Sequence, residues 1–382
     1  MKIVLAFDSF KNCCSSPEIC RIFKAAVQES DPDVEVVSMP LGDGGEGTAR
    51  AVTAACGGVM HTFEVTGPLG RKVQAEWGAL PDGSAIFEMA SASGLELIEK
   101  SERDPMKTST YGTGELLRRI ICDHKISKVT IGIGGSATVD GGVGMLQALG
   151  IKFFDGSGAE IPAPADGNGI GQICSIDASN LPKEVKNASI IVASDVTNPL
   201  CGVNGAARVF APQKGATPAV VEVLENNLEN LGKVCAANKL ADSFSHPGDG
   251  AAGGLGFALR AILGAKVCSG AKLVLDLLKF DEAIADADAV ITGEGCSDSQ
   301  TLSGKLPAVA AERAAKYNVP VILLSGALGR DTRHVTRALE EKFSAVLTLS
   351  SGVETLEEAI SSTPQNLSRM AKSIVNLLKI SC

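Results

Sequence analysis

The C-terminal part of the chain constrains the fold most. Three nearly continuous apolar runs, ADAVIT (287–292), VPVILLSG (319–326) and FSAVLTL (343–349), alternate with helical periods near 306–317, 331–341 and 354–379. A run without polar alternation has no solvent-facing side, so each reads as a strand covered on both faces. Parallel strands need crossovers, and the intervening helices supply them. The first residues follow the same grammar. KIVLAF (2–7) reads as a buried strand. SPEICRIFKAAVQES follows as a helix, with Ser16 as N-cap, Pro17 at the first helical position and an apolar stripe of Ile19, Ile22, Phe23, Ala26 and Val27. VEVVSM (34–39) and TARAVTAAC (48–56) give a second strand and helix, ended by Gly57 and Gly58. Two strands alone do not make a stable sheet. The N-terminal block is therefore expected to pair with the C-terminal one.

Between the two blocks the pattern changes. MHTFEVTG, RKVQAEWGAL and SAIFEMA are strand-like runs joined by the short turns PLG and PDG, as in an antiparallel meander. Alternation then returns with YGTGELLRRII as helix, KVTIGIG as strand, GMLQALG as helix, and IKFF and IIVASD (190–195) as strands; 217–237 and 251–263 read as helical. The expected fold class is α/β. Residues 1–58 and 286–382 would form a discontinuous Rossmann/flavodoxin-like domain with a parallel sheet, and 59–285 an inserted mixed α/β domain. Scarce aromatics (4%) and 42 glycines suit cores of Val, Ile, Leu and Ala with many tight turns.

Several function classes drop out. Net charge is −9 and no Lys/Arg-rich run of five or more is present. Nucleic acid and anionic membrane both select a basic face, so neither is an expected partner. No apolar stretch reaches the roughly 18 residues of a membrane span. MKIVLAFDSF breaks at Asp8 and reads as a first strand, not a signal peptide. The 11 cysteines, odd in number and without CxxC spacing, read as reduced thiols of a cytoplasmic protein.

Ligands of parallel sheets bind beyond the carboxyl ends of the strands. Five clusters lie at such ends: DSFK (8–11), GDGGEG (42–47), GGSATVDGG (134–142), SDVTN (194–198) and GEGCSDSQT (293–301). One alone reads as a plain turn. Five together read as one composite site. Glycine lets backbone N–H groups approach phosphate oxygens, and the carboxylates would repel phosphate unless a hard cation lay between, which implies Mg²⁺. The pattern points to a nucleotide–Mg²⁺ enzyme. GIGGSA (132–137), with Asp155 beyond it, imitates a dinucleotide fingerprint, but TVDGG continues the loop and delays the helix to about Val143. No GxxxxGK[ST] or GxSxG motif is present, so a covalent nucleophile is not indicated. Phosphoryl transfer needs positioning and charge neutralisation more than covalent help.

With these motifs in view, the chain resembles the bacterial glycerate kinase family. The matching stretches include DSFK, MPLGDGGEGT, VTGPLGR, EMASASGLEL, IGIGGSATVDGGVGMLQALG, SDVTNPLCGVNGAARVFAPQKGATP, GAAGGLGFAL and VITGEGCSDSQTLSGK, in order along nearly the whole chain. The resemblance implies ATP- and Mg²⁺-dependent phosphorylation of D-glycerate to 2-phosphoglycerate. It also implies two intertwined α/β domains with the active site in the cleft between them. Asp195, fixed at the end of a buried strand, is expected at the reacting hydroxyl as base or orienting acceptor, with Asp8 as the next candidate. Lys11 would offset charge on the transferred phosphoryl group, Glu294 with Asp298 or Asp8 would hold Mg²⁺, and Arg71 would pair with the glycerate carboxylate. Further substrate and phosphate contacts are expected from Ser9, Asp43, Gly44, Gly45, Glu46, Gly134, Gly135, Ser136, Thr138, Asp140, Asn198, Gly293 and Lys305.

Three positions depart from the family pattern. Asn12-Cys13 stands where Gly-Ser is common, Val139 where Asn is common, and Cys296 where Arg is common. Two other readings compete with the kinase: an NAD(P)-dependent oxidoreductase built on GIGGSA, and a non-catalytic sensor of a small hydroxy acid. The expected partners are ATP and D-glycerate, with a homodimer left open.

Overall fold

The computed structural model describes residues 1–10, 13–42, 47–302, 304–329, 332–350 and 352–380. Lys11, Asp43, Gly44, Gly45 and Glu46, all expected site residues, lie outside them. In chain order the strands are β1 (Lys2–Phe7), β2 (Glu35–Ser38), β3 (Val59–Thr66), β4 (Lys72–Ala79), β5 (Ala85–Glu88), β6 (Lys128–Gly132), β7 (Lys152–Phe154), β8 (Ser175–Asp177), β9 (Ser189–Ala193), β10 (Lys266–Cys268), β11 (Ala289–Gly293), β12 (Cys296–Ser297), β13 (Val321–Ser325), β14 (Ala327–Leu328) and β15 (Ala345–Thr348). The chain forms two compact units: Met1–Asp43 with Ala54–Cys56 and Ala271–Cys382, and Gly44–Thr53 with Gly57–Gly270.

The first unit holds a five-stranded parallel sheet in the order β15-β13-β11-β1-β2. The central strands β11 and β13 are buried throughout, whereas the edge strands β2 and β15 are not. That is why the runs of β11 and β13 lack alternation, whereas β15, expected to be covered on both faces, is a half-buried edge strand. The helix Ser16–Ser30 turns Ile19, Phe23 and Val27 into the same core, each contributing about 1.5–3 kcal/mol by burial. Its N-cap is Ser15, not Ser16. The Ser16 hydroxyl instead donates to the Phe7 carbonyl at 2.7 Å and accepts the Leu41 amide at 2.8 Å, tying the end of β1 to the segment after β2.

The second unit holds a six-stranded mixed sheet in the order β10-β9-β6-β5-β4-β3. β3, β4 and β5 form the antiparallel meander, and β5, β6, β9 and β10 run parallel. IKFF becomes β7 but pairs with β8 in a separate ribbon. A single helix over 251–263 does not form. The backbone is left-handed at Ala252 (φ 53°) and Gly253 (φ 66°), and regular helix starts at Leu255. A Cβ on Gly253 would lie 2.0 Å from the Thr138 carbonyl oxygen. The close approach of these two loops sets that turn. No helix among the described residues is long and apolar enough to cross a membrane.

Candidate active site

The register of the mixed sheet aligns three strand ends. Glu88 of β5 pairs with Gly132 of β6, and Gly132 with Ala193 of β9. A pocket of about 650 Å³ opens there, its wall including Glu88, Gly134, Gly135, Ser136, Val196 and Lys214. Gly135 has φ +71°, where a side chain is strained, so the loop after β6 needs glycine at that turn. The helix Val143–Ala148 starts only after this loop ends, as TVDGG required.

Two buried charges support the loop. Asp140 is fully enclosed. Its Oδ2 accepts the Thr110 amide (2.8 Å), the Thr110 hydroxyl (2.7 Å) and the Gly144 amide (3.3 Å), and its Oδ1 accepts the Gly142 amide (3.1 Å). Burial pushes this carboxyl above its usual range, and the hydrogen bonds oppose that shift. Lys214 is 2% exposed and donates from Nζ to the Ser136 hydroxyl (2.6 Å) and the Thr138 carbonyl (2.8 Å). Desolvation lowers its pKa to about 7, only partly countered by Asp140. Lys214 reaches this place because the turn Pro212–Lys214 is closed by Gly215 at φ +100°.

The carboxylate of Glu88 has another task. Its Oε2 accepts the Gly47 amide (3.1 Å) and its Oε1 the Ala49 amide (2.8 Å), so it caps the helix Thr48–Ala55 that follows GDGGEG. An internal anion thus already occupies two amides of that helix start. Arg50 and Glu76 are also on the wall, and Arg50 Nη2 donates to both Glu76 carboxylate oxygens at 2.6 and 2.7 Å.

The parallel sheet of the first unit has its own pocket of about 420 Å³. Strand order reverses its direction of growth at β1 and β11, and Phe7 pairs with Gly293 there. Asp8 and Glu294 therefore emerge side by side at the switch point, where sheets of this type bind ligands. Both are buried, and with Ser9, Cys296, Asp298 and Lys305 they line the pocket. Glu294 Oε1 accepts the hydroxyls of Ser297 (3.0 Å) and Thr301 (2.5 Å), and Lys305 Nζ stands 3.6 Å from Oε2. Asp298 Oδ1 accepts the Gln300 amide at 2.8 Å, and Asp8 Oδ1 accepts the Ser9 amide at 2.7 Å. The facing wall is apolar, with Phe10, Leu349 and Ile360. Among the described residues no three His, Cys, Asp or Glu side chains cluster closely enough to hold a metal on their own.

The glycerate kinase family model matches residues 3–379. The chain belongs to the glycerate kinase family. A glycerate 2-kinase of Escherichia coli K12 is 44% identical over 381 residues, covering 100% of this chain and 98% of the relative. A glycerate kinase of Bacillus subtilis 168 is 41% identical with the same coverage. A crystal structure of a Salmonella typhimurium LT2 protein assigned as glycerate kinase 2 superposes with a TM-score of 0.88 at 43% identity, covering 100% of this chain and 99% of that one. Glycerate kinase family members are enzymes, so this chain is a kinase of mixed α/β fold.

The sequence-expected residues separate into groups. Gly134, Gly135 and Ser136 line the larger pocket, while Thr138 and Asp140 are the buried residues of the same loop. Asp195, two residues past the end of β9, is exposed and off that wall, although its neighbour Val196 is on it, and its Oδ1 accepts the Gly270 amide at 3.1 Å. Asn198 Nδ2 donates to the Asn204 carbonyl at 2.8 Å, outside that wall. Arg71 also lies off it, forked onto Glu102 at 3.1 and 2.8 Å on an exposed surface. Asp8, Ser9, Glu294, Asp298 and Lys305 share the smaller pocket. Gly293 does not line it. A Cβ there would lie 1.9 Å from the Leu324 carbonyl oxygen, so glycine lets β11 and β13 pack. Val139 is fully buried in the core of the mixed-sheet unit, where an amide would need partners, whereas Cys296 is exposed at the smaller pocket. Sequence reasoning missed Glu88, Arg50 and Lys214. Only strand register could have brought Glu88 forward, and nothing local marks PQKGATP as buried.

Proposed function

We propose that this kinase transfers the terminal phosphoryl group of ATP to D-glycerate, with Mg²⁺, giving 2-phosphoglycerate. The observation that carries the reading is full-length membership of the glycerate kinase family, coupled to a pocket with charged side chains in its wall at the strand ends of each unit. A plain turn would not need the buried, hydrogen-bonded carboxylates of Glu294 and Asp140 at those ends.

In this reading the smaller pocket takes the nucleotide. Its apolar wall suits a base, and the donor set of its other wall fits Mg²⁺, which binds through one or two carboxylates plus phosphate oxygens rather than a full protein cage. Asp8, with Glu294 or Asp298, would hold the ion, which would supply neutralisation of phosphate charge. Lys11 would add a second positive group. Lys305 stands beside Glu294 and offsets its charge. The larger pocket takes the acceptor, and Asp195 serves its hydroxyl as base or orienting acceptor. A cytoplasmic setting suits an enzyme that draws on ATP.

The test is ADP formation by the purified protein. ADP release is expected only when D-glycerate, ATP and Mg²⁺ are all present, and it stops on chelation. ATP binding without glycerate-dependent ADP release would favour a sensor instead.

A further inference from the structure

The least explained charge in the molecule is Lys214. Its ammonium is taken from water, yet among the described residues no carboxylate lies within ion-pair distance. Two of its three donors serve neutral acceptors, the Ser136 hydroxyl and the Thr138 carbonyl. A buried, unpaired ammonium is costly, and proteins keep one only where something compensates it. Asp140 acts on Lys214 only through its charge: its oxygens take the donors of Thr110, Gly142 and Gly144, while Nζ bonds Ser136 and Thr138. Lys214 lines the larger pocket beside exposed Gly134 and Gly135.

We propose that Lys214, with Ser136, is the anion-binding pair of this pocket, and that it takes the carboxylate of the acceptor hydroxy acid. This rests on the functional reading above. The remaining charges of the wall favour a single negative charge over a polyphosphate. Glu76, Glu88 and Glu96 line it, and Arg50 is already paired with Glu76. A carboxylate would accept the third donor of Nζ, and the Ser136 hydroxyl, which accepts from Lys214, can turn its own proton to the same anion. The counter-charge then arrives with the substrate.

A pH signature follows. Burial lowers the pKa of this ammonium to about 7. A bound anion favours the protonated form and raises that value. D-glycerate binding should therefore take up protons above about pH 7, and its affinity should fall by roughly tenfold per pH unit there. Asp140, Glu76, Glu88, Glu96 and Arg50 also face this region. A variant without the ammonium isolates its share of the profile.

The experiment is calorimetric titration of the full chain with D-glycerate and, separately, with Mg·ATP, in buffers of different ionisation enthalpy. Lys214→Met keeps the stem length and removes the charge. It is expected to weaken D-glycerate binding at least about tenfold, the scale of one lost charge-assisted hydrogen bond, with the proton uptake and pH dependence gone and Mg·ATP affinity held. Equal D-glycerate affinity in the folded variant overturns the proposal. Loss of Mg·ATP affinity with D-glycerate binding intact overturns the carboxylate assignment in favour of a phosphoryl group. Wild-type protein that binds no D-glycerate overturns the functional reading itself, so the two failures are distinct. If the methionine variant does not fold, Ser136→Ala replaces it, with weaker D-glycerate binding expected and unchanged binding again overturning the proposal.

Discussion

Asp140→Ala is expected to lower the stability of the protein by roughly 3–5 kcal/mol, because it strips a buried carboxylate from the donors around it. Thr110 N–H, Thr110 O–H, Gly142 N–H and Gly144 N–H all point at Asp140, which has no solvent exposure. Those donors would be left buried without acceptors. Gly142 is also left-handed (φ +75°), a conformation that glycine adopts without strain. Urea unfolding of the variant reads the loss as a lower midpoint. A midpoint shift worth less than about 1 kcal/mol would mean that water replaces the carboxylate and that the loop holds itself.

The second large effect belongs to Asp195. Asp195→Asn is expected to reduce kcat by about 10²-fold or more, the scale of a lost general base, while Mg·ATP affinity stays near the wild-type value. Asparagine keeps a side-chain oxygen for the Gly270 amide and removes the charge. A merely structural Asp195 would tolerate the change. Unchanged kcat in a folded variant removes Asp195 from the mechanism and leaves Asp8, buried at the β1–β11 switch point, as the next carboxylate to test.

The parts of the fold that were legible share one physical cause. β11 and β13 are buried on both faces, so their sequences are apolar without alternation, and β3 and β4 alternate because one side of each is more open. The loop after β6 was legible for a different reason. Gly135 and Gly142 carry positive φ, and that demand shows in the sequence as glycine clusters among polar residues. What stayed hidden depends on contacts distant in the chain. Lys214 sits in a Pro-Gln-Lys-Gly turn that looks like surface, and its burial comes from Ser136, 78 residues earlier. Glu88 looked like the end of a strand, and its capping of the helix Thr48–Ala55 arises only when Glu88 is brought to Gly47 and Ala49. Gly293 has a packing reason that its place at a strand end does not show: a Cβ there would meet the Leu324 carbonyl oxygen at 1.9 Å. Ser16 preceded a proline as a cap residue should, yet its hydroxyl is spent on Phe7 and Leu41.

The central claim is that the terminal phosphoryl group of ATP ends on the oxygen at carbon 2 of D-glycerate. Proton-coupled phosphorus NMR of the running reaction reads that bond directly. A phosphate ester on carbon 2 couples to one carbon-bound proton and gives a doublet, whereas one on carbon 3 couples to two and gives a triplet. The account predicts that the ATP γ signal falls as a doublet ester signal and the ADP signals grow together. A triplet would contradict the assigned position, and inorganic phosphate growing in place of any ester would contradict transfer to glycerate altogether.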